Sequence, residues 1–134
     1  MSAVHVAIID SRIASGLLDG RKRLETRFAR QRRLPYGRIC TGDQIYFKVA
    51  GRDVIGHCPV LWVREFHDLT PAALEWLRSR YNHAILAPPA YWRARRHCRY
   101  GVLIWLGRFT RRASPLMIPR QYGNGWVLLS GRMR

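Results

Sequence analysis

The feature that most constrains this chain is a change of period at Gly20. Before it, Ile13, Leu17 and Leu18 recur at helical spacing with Ala14 beside them, which puts an apolar stripe along one side of a short helix. After it, Leu24, Thr26 and Phe28 alternate with Arg23, Glu25 and Arg27, and a period of two belongs to a strand. Glycine at the junction supplies the left-handed residue that ends a helix without a steric penalty. A helix therefore hands the chain to a sheet within a few residues, through Lys22, Glu25, Thr26 and Arg27. Residues two apart on a strand share a face at about 7 Å, so Glu25 and Arg27 are neighbours. Lys22 precedes strict alternation, and its stem can swing to either side. Two readings of this corner stand open: an exposed salt-bridge ladder of small energetic weight, or a site.

The remaining pattern gives an α+β chain. Val4–Ile9 is short, apolar and β-branched, a buried strand, and Asp10 and Ser11 follow it as N-cap oxygens. Thr41, Gly42 and Asp43 mark a turn, after which Ile45, Phe47 and Val49 face inward and Gln44, Tyr46 and Lys48 outward. A long strand runs from Val54 towards Phe66, with Gly56 and Pro59 marking a bulge or bend where a sheet curls. Thr70 caps a helix opening at Pro71. Its buried stripe is Leu74, Leu77 and Tyr81, with Glu75, Arg78 and Arg80 outside. Residues 82–90 read as a loop fixed by Pro88 and Pro89, 91–99 as another short helix, and 101–106 and 126–129 as strands. At 134 residues the chain is of a size for one domain with one core.

Charge limits the function. Lys plus Arg number 24 against 8 acidic residues, a formal net charge of +16, and a surplus of that size attracts polyanions. Arginine dominates, and its guanidinium both grips phosphate through two donors and stacks on a base. An anionic membrane surface would call for an amphipathic basic helix with a broad apolar face, which this sequence lacks, and no apolar run approaches the roughly 20 residues that span a bilayer. The first residues lack the basic-then-apolar order of a signal peptide. Cys40, Cys58 and Cys98, odd in number and scattered, suit free thiols in a reducing compartment. These observations place the protein in the cytoplasm.

Two segments carry the candidate nucleic-acid contacts. The first holds Arg21, Lys22, Arg23, Arg27, Arg30, Arg32 and Arg33, with Tyr36 as a stacking plane and Arg38 beyond it. In the second, Tyr91 precedes Trp92, Arg95, Arg96 and Arg99, whose helical spacing gathers them on one aromatic and guanidinium face. Flat rings between guanidiniums suit a single strand, where phosphates need charge and bases need stacking. The partner expected is RNA, with single-stranded DNA second and no membrane. Arg108, Arg111, Arg112, Arg120, Arg132 and Arg134 keep the end of the chain basic. His57–Cys58 and His97–Cys98 are adjacent pairs, and neighbours on a strand point to opposite faces. No metal and no cofactor is expected, and no phosphate-binding or nucleophile-elbow motif is present.

The corner resembles a known family. Gly20, Lys22, Glu25 and Arg27 are similar to the G-x-K-x-x-E-x-R signature of the ASCH domain, a branch of the PUA-like β-barrels. The resemblance continues through Gly42-Asp43-Gln44-Ile45-Tyr46-Phe47 and the Leu69-Thr70 helix start to the strand at Tyr100. It covers residues 4–106 and leaves 107–134 as a basic extension of one domain spanning 1–134. It implies a small mixed barrel of five to six strands, with two to three short helices at its ends and a cleft beside the motif. It also implies RNA binding. The alternative it implies is a metal-independent hydrolase, a ribonuclease or a nucleoside amidohydrolase, in which Lys22 and Glu25 would be catalytic. Members of the amidohydrolase type use a lysine, a threonine three residues later and a more distant glutamate. Here Lys22 matches, Glu25 stands in the threonine's position, Thr26 follows by one, and the distant carboxylate is either Glu65 or Glu75. For RNA cleavage, activating the 2′-hydroxyl, stabilising the phosphorane and protonating the leaving oxygen would be divided among Lys22, Arg27 and a tyrosine such as Tyr46 or Tyr100.

Overall fold

The computed structural model of the chain describes residues 2–112 and 125–130. The elements follow in the order β1 (Val4–Ile9), α1 (Ser11–Leu18), β2 (Leu24–Ala29), β3 (Gln44–Val49), β4 (Val54–Phe66), α2 (Pro71–Ile85), α3 (Pro89–Ala94), β5 (Tyr100–Leu106), β6 (Thr110–Arg111) and β7 (Trp126–Ser130). Arg120, Arg132 and Arg134 lie outside the described residues.

The strands form one mixed sheet in the order β2-β5-β4-β3-β1-β7, with β6 paired to β4. Only β1 and β3 run parallel; the other described pairs are antiparallel. The long strand β4 makes this order work. Its first half pairs with β3 and its second half with β5, with register shifts at Ile55 and Leu61. These flank the Gly56–Pro59 stretch that the sequence marks for bending, because an extra residue on one strand sharpens its twist.

Alternation on β5 divides the apolar interior. Val102, Ile104 and Leu106 join Ile9, Leu17, Phe47 and Trp126 on the inner side of the curled sheet. Leu103 faces the other way and packs under α2 and α3 with Leu24, Leu74, Leu77 and Trp92. Burying each such side chain is worth roughly 1.5–3 kcal/mol, so both sides of β5 contribute to stability.

The Gly42–Asp43 turn has a buried role. Asp43 accepts hydrogen bonds from the amides of Ala3 and Cys40, both at 3.0 Å, and lies 2.8 Å from Nε2 of the fully buried His5. Trp126 donates its indole N–H to His5 Nδ1 at 2.9 Å. An indole can only donate, so Nδ1 is the acceptor and Nε2–H faces Asp43. The chain Trp126–His5–Asp43 thus locks β7 and β1 to the turn that starts β3.

The mixed α+β class with three helices is as expected, and several details differ. Among the described residues the sheet holds seven strands, where about five to six are expected, and it is not closed. No ladder joins its end strands β2 and β7 among the described residues, and that gap becomes part of the site. The second helix runs on to Ile85, into the first part of the expected loop, and ends at Leu86 in the left-handed conformation with φ 64°. The third stops at Ala94 instead of continuing to Arg99. Leu18 is 44% exposed, because α1 turns Gly16 and Leu17 inward. A β-carbon on Gly16 would stand 2.8 Å from Leu86 Cδ1, so a larger residue there would require the Leu86 side chain to shift. Among the described residues no helix is long and apolar enough to cross a membrane.

Candidate functional site

The turn from α1 into β2 builds a closed set of ions. Gly20 adopts φ 82°, reversing the chain so that Lys22 points inward. Its ammonium donates to the carbonyl oxygens of Leu24 and Ile85, both at 2.8 Å, and lies 3.2 Å from Glu25 Oε1. Three acceptors match the three donors of an ammonium. Ile85 is the last residue of α2, so the cation also sits where the helix dipole is negative. The side chains of Lys22 and Glu25 are 2% and 5% exposed, so the exposed-ladder reading of the corner is set aside.

Arg27 completes the set and bridges the open sheet. Its Nε and Nη2 donate to Glu25 Oε2 at 3.1 and 2.8 Å. Nη2 also donates to Ile8 O at 3.1 Å, and Nη1 to Gly125 O at 3.0 Å. One guanidinium on β2 therefore reaches β1 and the entry to β7, where no strand ladder forms. Its plane rests 5.1 Å from the Trp126 ring centroid. Burial pushes the Glu25 carboxyl up. The charges of Lys22 and Arg27 and their hydrogen bonds outweigh it and hold the group below its ordinary value. Glu25 is an anion between two cations. Burial, reinforced by the Glu25 charge, pushes the nearby Cys58 thiol up to about 12, which leaves it unreactive.

A cleft of about 1050 Å³ opens above these groups, between the β2 side of the sheet, α1, the end of α2 and α3. Its cations are Arg12, Arg21, Lys22, Arg27, Arg33 and Arg95, against Asp10 and Glu25. Both acids are engaged, Asp10 with the Arg12 guanidinium at 3.0 Å and Glu25 in the floor. On one wall the Arg95 guanidinium lies 3.7 Å from the Tyr91 ring centroid, a close cation–π stack. The Tyr91 hydroxyl shares a hydrogen bond of 2.8 Å with Thr26 Oγ1. Burial raises its pKa, so it remains a neutral phenol. On the other wall Tyr36 and Tyr100 meet edge to face at 5.5 Å. Arg32 caps both rings at 5.8 and 5.7 Å.

The candidate residues therefore separate. Arg21, Lys22, Glu25, Arg27, Arg33, Tyr36, Tyr91 and Arg95 line the cleft, and Arg32 stands over two of its rings. Arg23 and Arg30 are exposed outside it. Trp92 belongs to the core: it is 5% exposed and donates to Asn82 Oδ1 at 3.1 Å. Its edge lines a separate, smaller hollow with Arg96, away from the cleft, and Arg99 is exposed within 3.6 Å of Asp68. Neither Glu65 nor Glu75 lines the cleft. Glu65 accepts the Gly37 amide and Glu75 pairs with Arg78. Tyr46 is also elsewhere, tilted against His57 at 4.9 Å, while Tyr100 lines the cleft. Two charged lining residues escaped the sequence reading of the site, Asp10 and Arg12, whose signal was an N-cap followed two residues later by a cation. Among the described residues no group of His, Cys, Asp or Glu could hold a metal ion.

No protein-family model and no curated protein sequence matches the chain. Solved structures do. The chain is similar to the ASCH protein of Zymomonas mobilis, with a TM-score of 0.72 at 16% identity over 96% of this chain and 88% of that one. A tyrosine-to-phenylalanine mutant of that protein superposes with the same score over 91% of its chain. The hypothetical protein PH0355 matches with a TM-score of 0.51 at 18% identity, over 75% of this chain and 94% of that one. At such identities the likeness is one of fold, and the fold that this chain adopts over nearly its whole length is that of an ASCH domain.

Proposed function

We propose that this ASCH-type domain binds single-stranded RNA in the cleft above Lys22, Glu25 and Arg27. One observation carries the reading. The walls of a cavity large enough for nucleotides present guanidiniums already laid on aromatic rings, Arg95 on Tyr91 and Arg32 over Tyr36 and Tyr100, while both lining acids are engaged by cations of their own. Phosphates would meet Arg33, Arg21 and the outer face of Arg95, and a base would slide against Tyr36 or Tyr100. Stacking of this kind contributes about 1–3 kcal/mol per base and tolerates any sequence. The +16 charge adds long-range attraction.

The hydrolytic alternative assigns work to Lys22 and Glu25. All three donors of Lys22 face oxygen atoms, so it has none left for a reacting atom, and Glu25 is held as an anion with a cation against each oxygen. Binding is the reading this geometry favours.

The test is a titration of labelled single-stranded RNA at increasing salt, in EDTA. With about four phosphates neutralised, log K falls against log salt with a slope near −3. A flat response would remove nucleic acid as the partner. The RNA recovered afterwards is expected intact; accumulating product would replace binding by hydrolysis.

A further inference from the structure

Outside the cleft, four aromatic rings form a continuous arc from the sheet onto α2. Trp62 on β4 and Trp105 on β5 are direct cross-strand partners, and their rings stack at 5.4 Å with planes 29° apart. Tyr81 comes down from α2 edge-on to Trp105 at 5.8 Å, and Trp76 meets Tyr81 edge-on at 6.1 Å. None of the four lines the cleft. Trp105 and Tyr81 are half-buried and pack against the α2 core. The two ends of the arc are not: Trp62 is 62% and Trp76 51% exposed. Stacking on Trp105 occupies one face of the Trp62 indole and leaves the other open. Contiguous exposed aromatic surface on a chain of this size marks an interaction site.

The charges around the arc select its occupant. Arg80 lies over Trp76 and Tyr81 at 5.4 and 5.7 Å. Arg64, two residues beyond Trp62 on the same side of β4, lies over Phe66 at 5.0 Å. The neighbouring acids are used elsewhere, Glu75 by Arg78 and Glu65 by the Gly37 amide. A second copy of this chain would bring two such cationic surfaces, each on a molecule of charge +16, against one another. A polyanion with flat bases meets both requirements of the surface.

We propose that this arc is a second stacking platform for single-stranded RNA, with bases laid on Trp62 and Trp76 and phosphates held by Arg64 and Arg80. The proposal rests on the reading of the cleft as an RNA site and extends it: a strand long enough to leave the cleft gains further contacts on the outer surface.

The experiment compares oligouridylates of about 4 and about 16 nucleotides, a span that separates one short site from several. They are titrated against the wild type, Trp62→Ala/Trp76→Ala and Trp62→Leu/Trp76→Leu, with a thermal melt confirming the fold of each. The leucine pair keeps apolar bulk and removes the ring faces, so it tests stacking even if the alanine pair unfolds. Both doubles are expected to weaken the long oligomer about tenfold, to abolish most of its quenching of tryptophan fluorescence, and to leave the short oligomer unchanged. Wild-type affinity of the leucine double for the long oligomer would overturn the platform and leave the cleft standing. Absence of binding at either length would overturn both. Two further results would overturn the platform by giving the arc a different occupant: a wild-type dimer that dissociates in the doubles, or polyglutamate competing as well as RNA.

Discussion

At the floor of the cleft a lysine, a glutamate and an arginine satisfy one another, with the lysine and glutamate almost fully buried. At its rim, Arg32 is exposed over tyrosine rings, and the half-buried Arg95 lies on Tyr91 while donating to its carbonyl oxygen at 3.1 Å. The residue types barely differ, but what surrounds them does. Each floor cation is matched by the Glu25 anion and by backbone carbonyls, so its charge is spent inside the fold and projects little field outward. At the rim Arg12 and Arg21 pair with Asp10 and Asp19 on the exposed surface, while Arg32 and Arg33 are exposed to a ligand. The family-like motif therefore reads here as a structural joint beneath the cleft, and under the proposed function the surrounding arginines and tyrosines are the parts that would meet RNA.

The largest expected effect breaks the floor. Glu25→Ala would leave Lys22 and Arg27 without their shared anion, and removing one partner of a buried pair costs about 3–5 kcal/mol. Urea denaturation should show that loss. The carboxyl's folded pKa lies below its ordinary value of 4.5, so the group's stabilisation is complete above that value and is lost as pH falls through the folded one. Wild type should weaken in acid below pH 4.5 more steeply than Glu25→Ala. Equal stability of the two proteins near neutrality would mean that the ions are solvated after all.

Next in size is Arg27→Lys. The guanidinium reaches Glu25, Ile8 O and Gly125 O at once, in a fork that an ammonium cannot reproduce. Retaining the charge while losing two carbonyl contacts should cost about 2 kcal/mol. Amide exchange should accelerate at Trp126 and Val127, where the sheet's open side depends on this side chain. A loss of RNA affinity with unchanged stability would instead make Arg27 a ligand contact.

The sequence carried the local part of this account and missed the long-range part. Gly20, the Gly42–Asp43 turn, the alternation of β3 and the Thr70–Pro71 cap each signal their structure within a few residues, because a cap or a turn is a local event. The end of α2 gave no such signal: its left-handed cap is Leu86, where sequence leads one to look for glycine. Trp92 was placed among the arginines by helical spacing, yet Asn82 draws its indole N–H inward, a contact that no periodicity encodes. Arg27 illustrates the same limit. Alternation correctly set it beside Glu25, but its carbonyl partners lie on β1 and before β7. The sheet's open side was illegible for the related reason that strand pairing at a sheet's ends is decided by the whole chain.

The smallest effect on stability sharpens the comparison most. Arg33 is exposed and lines the cleft mouth, so Arg33→Ala should change stability by no more than about 0.5 kcal/mol. If the rim is where phosphates bind, the same substitution should weaken RNA several-fold and reduce the salt slope by about 0.7, the share of one phosphate on a single strand. The floor variants should do the reverse, losing stability while any folded fraction keeps the wild-type slope. Measuring slope and melting temperature on the same samples separates the two roles. The slope counts charges released to solvent by a ligand, and ions already paired inside the protein release none.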